Sequence, residues 1–159
     1  MELEVFIEIS KNSSVKYEFD KEKNILKVDR FLYTAMFFPF NYGFIVDTQG
    51  EDGDPVDALI LSEFSILPGS LIKCQPIGGL EMEDESGNDE KIIVVPLDKI
   101  DPFWSKYKSI NQLEESYKNK IRHFFENYKT LEPNKWVKIN NWFDYDKAVE
   151  IIKKSLIKK

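Results

Sequence analysis

The chain has 159 residues, 42% of them hydrophobic, which suits one folded domain over residues 1–159 and excludes a disordered polymer. A single cysteine, Cys74, excludes an internal disulfide and a cysteine-based zinc site, and a single histidine, His123, leaves any Ser-His or Cys-His catalysis dependent on that residue. The net charge of −6 is local: residues 47–57 hold five acids and residues 81–90 hold six, neither with a Lys or Arg, and the remaining 17 acids face 22 Lys and Arg.

The N-terminus alternates apolar residues with acids and lacks the basic start and apolar run of a signal peptide. No apolar stretch approaches the roughly 20 residues that span a bilayer, so a cytoplasmic, membrane-free protein is expected. Residues 2–9 read as a strand with Leu3, Val5, Ile7 and Ile9 on one face and Glu2, Glu4, Phe6 and Glu8 on the other. Residues 15–19 alternate in the same way, and residues 25–30 follow a polar turn. Residues 56–62 and 70–75 read as buried strands separated by a Pro68-Gly69 turn, and Lys91 to Val95 as another, stopped by Pro96. Ser109 to Gln112 has capping-box spacing, and Leu113, Tyr117, Ile121, Phe124, Tyr128 and Leu131 then recur at helical intervals. A last helix after Asp144 is predicted to bury Ala148, Val149, Ile152 and Leu156. Strands followed by helices predict an α+β fold, mainly β, with a small closed barrel and helices packed outside.

The strongest chemical signal is the run Asp52-Gly53-Asp54-Pro55-Val56-Asp57. Gly53 permits a tight turn and Pro55 biases Asp54 towards extended backbone, so three carboxylates on one turn can converge on hard cations. An EF-hand loop is excluded because its sixth position requires Gly and holds Asp57. The second signal, Asp84 to Lys91, reads as a hairpin tip with acids on both arms; alone it is an ordinary surface turn, but beside the first cluster it can complete a multi-metal site of the kind that serves phosphoryl transfer. A polyanionic substrate also needs cations and hydroxyls, for which Lys16, Arg30, Tyr42, Lys91, Tyr128 and Lys129 are the candidates. Taken singly, each is as well explained by solvation or core packing.

From about Glu8 to Trp142 the sequence resembles the family I soluble inorganic pyrophosphatases, especially the short bacterial form. The segments that carry the resemblance are Lys16-Tyr17-Glu18, Val28-Asp29-Arg30-Phe31, Asn41-Tyr42-Gly43, Gly53-Asp54-Pro55-Val56-Asp57, Met82-Glu83-Asp84-Glu85, His123-Phe124-Phe125-Glu126 and Lys135-Trp136-Val137-Lys138. The resemblance implies a five-stranded, OB-like barrel with flanking helices and three to four Mg2+ ions per active site. It implies metal ligands at Asp52, Asp57, Asp84, Asp89 and Glu18, with Asp57 bridging two metals that activate a water, and Asp54 as general base. Lys16, Arg30, Tyr42, Tyr128 and Lys129 match phosphate-binding positions, and Glu8, Glu85 and Lys91 further site positions. Crowded carboxylates are expected to carry some raised pKa values when no metal is present.

Three departures stand out. Phe38 occupies a position that usually holds a site tyrosine, the chain starts near the first strand, and Asn127 replaces a histidine near a helix used in subunit contacts. Short bacterial members are typically hexamers, which sets the expectation of a homo-oligomer. An OB-like nucleic-acid binder is a different reading, but it needs a basic groove, whereas the acidic clusters repel phosphates and most aromatics sit in core patterns. A non-catalytic relative that binds metal or pyrophosphate without turnover is a third; release of phosphate from pyrophosphate with Mg2+ separates them all.

Overall fold

The alternation of the first residues becomes strand β1 (Leu3–Ile9) in the computed structural model, which describes residues 1–157. A hairpin of β2 (Val15–Asp20) and β3 (Ile25–Phe31) follows, then β4 (Asn41–Ile45), β5 (Asp57–Ile60), the long β6 (Leu71–Asp84), the short β7 (Gly87–Asn88) and β8 (Lys91–Pro96). Helix α1 (Glu115–Asn127), β9 (Val137–Asp144) and helix α2 (Tyr145–Ser155) complete the order.

Five strands pair in a closed ring, β1–β4–β5–β8–β6 and back to β1, while β7 and β9 extend the sheet from the far part of β6. This is the OB-like ring with flanking helices that the sequence led us to expect. Closure leaves no free edge within the ring, and the close approach of β4 to its neighbour β1 demands Gly43, where a Cβ would lie 1.8 Å from the Phe6 carbonyl oxygen. All ring pairings are antiparallel except β5 with β8. Because those two strands run together, their first residues, Asp57 and Lys91, lie at the same end of the ring.

Every residue of β8 is buried, as its uninterrupted apolar run requires. One core joins Leu59, Ile93 and Val95 to Phe38, Phe40, Tyr42 and the Ile121–Phe124–Phe125 stripe of α1. The other joins Val5, Ile60, Ile92 and Val94 to Ala148 and Ile152 of α2. Burying an aromatic such as Phe124 contributes about 1.5–3 kcal/mol. Among the described residues no helix is long and apolar enough to cross a membrane.

Several expectations are corrected. A bulge interrupts β1 between Ile7 and Ile9, so these two residues, expected on one face, belong to different cores, and Glu8 is re-aimed. Strands β4 and β9 lacked a period-2 signal, and β6 runs on to Asp84 through an irregularity at Pro76–Gly78 that hid its continuity. The capping box of Ser109 and Gln112 is present, but it crowns a 3-10 turn, Ile110–Gln112, and α1 begins only at Glu115. Helix α1 ends at Asn127 with Tyr128 as its cap, leaving Leu131 exposed beyond the stripe. Leu156 lies past α2 and is exposed, and Val149 is only half-buried.

Candidate active site

The end of the ring where β5 and β8 begin opens into a cavity of about 630 Å³, flanked by the β2–β3 hairpin and by the turn after α1. It brings together Glu8, Lys16, Glu18, Arg30, Tyr42, Asp52, Asp54, Asp57, Asp84, Glu85, Asp89, Lys91, Tyr128 and Lys129, which are all the expected site residues except Phe38. Phe38 is buried behind the wall, its ring 5.4 Å from Tyr42, 4.6 Å from Phe124 and 6.4 Å from Tyr128.

Local chemistry shapes the acidic loop. Gly53 takes a left-handed φ of 87°, Gly50 N–H donates to the Asp54 carbonyl at 2.7 Å, and Asp54 N–H donates to Asp52 Oδ1 at 3.0 Å. The base of the loop is locked by Thr48, whose hydroxyl donates to the Ile45 carbonyl and accepts from Val56 N–H. The Gln49 amide reaches across to the Gly53 carbonyl at 3.1 Å. Chain leaving α2 holds the loop from behind: Gln49 N–H donates to the Ser155 carbonyl at 2.7 Å and Ile157 N–H to Asp47 at 3.0 Å, around a bridge between Thr48 and Leu156.

Three cationic centres organise the rest. Lys91, buried, donates to Tyr42 Oη at 2.8 Å, Asp57 Oδ2 at 2.8 Å and Asp89 Oδ1 at 2.9 Å. Lys129 meets Asp84 Oδ2 at 3.3 Å and the Glu85 carboxylate at 3.4 Å. Arg30 is flanked by Asp29, which also meets Lys16 at 3.5 Å, and by Glu132, whose Oε1 lies 2.8 Å from Arg30 Nε. Glu8 Oε2 accepts from Phe19 N–H at 2.9 Å.

Raised carboxyls were expected from crowding; Glu8 and Asp89 are raised, but chiefly by burial, with neighbouring acids a smaller cause. Burial pushes Glu8 up to about 7 against the Phe19 hydrogen bond, with Asp57 adding to the rise. Burial also raises Asp89 despite the opposing pull of Lys91. Burial alone lowers Lys91, but Asp57, Tyr42 and Asp89 together hold it well above the ordinary lysine value. Tyr42 and Tyr128 are raised by burial, so both keep their protons at neutral pH, while Tyr42 Oη accepts from Lys91.

Sequence reading missed Asp29, Glu132 and Lys135. Asp29 is the extra residue at a bulge where β3 passes Lys16, a feature with no sequence signal. Glu132 lay in plain view four residues after Tyr128 and three after Lys129, on the turn that carries both; Lys135 lines the cavity rim.

Ten carboxylates and seven Lys or Arg side chains line the cavity, an acid excess that suits bound cations. The acids are all oxygen donors, which favour hard divalent ions over softer metals. Among the described residues no three His, Cys, Asp or Glu side chains form a ready-made cage. Cations that keep waters and bind substrate oxygens, as Mg2+ does, fit such a spread donor set.

Acids and cations around one polar cavity at the end of such a ring suit the binding of divalent cations together with phosphate oxygens. The model of the inorganic pyrophosphatase family matches residues 5–158. The chain is 53% identical to the inorganic pyrophosphatase of Saccharolobus solfataricus over 158 residues, covering 99% of this chain and 92% of that protein. The solved structure of the Helicobacter pylori inorganic pyrophosphatase superposes with a TM-score of 0.95 at 52% identity, over 97% of this chain and 91% of that one. The Thermus thermophilus inorganic pyrophosphatase structure gives 0.93 at 40% identity, over 97% and 88%. The chain belongs to the inorganic pyrophosphatase family.

Proposed function

We propose that this chain hydrolyses inorganic pyrophosphate to two orthophosphates, using Mg2+ held by Asp52, Asp57, Asp84, Asp89 and Glu18. The observation that carries the reading is the meeting, in one cavity, of these acids with Lys16, Arg30, Tyr42, Tyr128 and Lys129. When bound, divalent cations lower the pKa of water and neutralise phosphoryl oxygens. Asp54, on the exposed loop, accepts the proton of the attacking water. Lys16, Arg30 and Lys129 bind phosphate oxygens as charges, and Tyr42 and Tyr128 bind them as hydroxyl donors. Glu8, Glu85 and Lys91 support the ligands from behind: Lys91 spaces Asp57 from Asp89, and Glu85 shares Lys129 with Asp84.

We further propose three to four Mg2+ ions per site, a single domain over residues 1–159, a hexameric homo-oligomer and a cytoplasmic setting. The cavity's acid excess supports the bound ions, and the family match over residues 5–158 supports the other readings. The test is phosphate release from pyrophosphate with Mg2+, with chelator, and with nucleic acid as competitor. Turnover that needs Mg2+ and ignores nucleic acid is expected; Mg2+-independent release, or none, overturns the reading.

A further inference from the structure

Glu132 is 7% exposed, yet its Oε2 has no hydrogen-bond partner. Its Oε1 lies 2.8 Å from Arg30 Nε as a close ion pair, but the N–H is not aimed along that line, so this buried nitrogen also lacks an aligned acceptor. A buried polar atom left unpaired is costly, and native folds retain few without a reason. The second acid beside Arg30, Asp29, is shared with Lys16, whereas Arg30 is the ion-pair partner of Glu132. Glu132 is itself fixed by its N–H, which donates to the Lys129 carbonyl at 3.1 Å. One turn of chain therefore carries Tyr128, Lys129 and the carboxylate that grips Arg30 from another element, strand β3.

We propose that Glu132 is a positioning residue for Arg30: it docks the guanidinium onto the turn of Tyr128 and Lys129, so that three phosphate-binding groups form one unit. The misaligned N–H and the unused Oε2 are the slack in that joint, which closes into a two-point pair when Arg30 takes up phosphate, as polar contacts in a ligand-free site commonly tighten on binding. The proposal rests on the assignment of Arg30 to phosphate binding.

The experiment is a double-mutant cycle of Glu132→Gln and Arg30→Ala, with kcat and KM for pyrophosphate, calorimetric Kd for inorganic phosphate, and thermal midpoints. Glu132→Gln keeps the shape and removes the charge. It is expected to raise KM and the phosphate Kd about tenfold, the difference between charged and neutral hydrogen bonding, with kcat within about threefold. In the Arg30→Ala background it should change neither, while restoring thermal stability by neutralising a stranded buried acid. If Glu132→Gln unfolds the protein, Glu132→Asp takes its place, with the same expected coupling. Unchanged KM and Kd, or a tenfold effect that persists without Arg30, makes Glu132 a structural partner only and overturns the proposal. If Arg30→Ala itself leaves KM and Kd unchanged, the phosphate role of Arg30 fails first and the proposal with it.

Discussion

The ammonium of Lys91 stands 2.8 Å from the carboxylate of Asp57, at the paired starts of the one parallel strand pair in the ring. Lys91 donates to both Asp57 and Asp89, and its charge offsets part of their mutual repulsion. Lys91→Met is therefore expected to lower the thermal midpoint in chelator by about 5–15 °C. Breaking a fully buried ion pair costs roughly 3–5 kcal/mol, and this is a ceiling because Asp57 and Asp89 keep some exposure. Added Mg2+ should recover part of the loss. A chelator melt equal to the parent's would contradict the account.

Asp54 and Asp57 are three residues apart but differ in setting, one exposed on the loop and one tied to Lys91. Asp57→Asn should raise the Mg2+ concentration needed for activity as well as lower turnover. Asp54→Asn should leave the Mg2+ requirement near normal and cut kcat by roughly 10²–10⁴-fold, the range for loss of a general base. Mg2+ titrations of both variants decide this; near-normal kcat in Asp54→Asn removes it from the role.

The spread carboxylates select among cations by fit. Chelator should abolish activity and Mg2+ restore it. Ca2+ should inhibit, since its oxygen distances of about 2.3–2.6 Å, against about 2.0–2.1 Å for Mg2+, misplace the attacking water. Full turnover in Ca2+ alone is the contrary result.

Glu8 gives the metal-free protein a pH signature. In the unfolded chain it titrates near 4.5, and in the fold at about 7, chiefly because burial disfavours the carboxylate. The folded state binds the proton more tightly, so the stability Glu8 contributes is fully present below 4.5 and is lost as pH rises through 7. Glu8→Gln in chelator should thus melt above the parent at pH 8, with a difference that shrinks towards pH 4.5. The amide still accepts from Phe19 N–H. A constant difference across that window would count against the assignment.

Phe38→Tyr is expected to change kcat/KM by less than tenfold and to lower the melting temperature. The ring is fully packed among Tyr42, Phe124 and Tyr128 and does not line the cavity, so an added hydroxyl meets a filled core, where overpacking costs roughly 1–3 kcal/mol. A gain above about a thousandfold would mean that the parent lacks a working site.

Most of the cavity was legible because its residues sit in short local patterns: one turn for Asp52, Asp54 and Asp57, one hairpin tip for Asp84 and Asp89. What was not legible depends on contacts far apart in sequence. Glu8 was named only by the resemblance, because alternation alone makes it one more outward acid; the bulge opposite Tyr42 is what turns it inward. Asp29 and Glu132 became visible only once β3 and the turn after α1 were brought to Arg30. Phe38 was traceable by position but not by depth, since nothing in its neighbours places the ring behind the wall.

The anchoring of Gln49 to Ser155 and of Ile157 to Asp47 ties the end of α2 to the base of the acidic loop. Fraying of the last turn of α2 would therefore loosen the footing of the loop that carries Asp52 and Asp54.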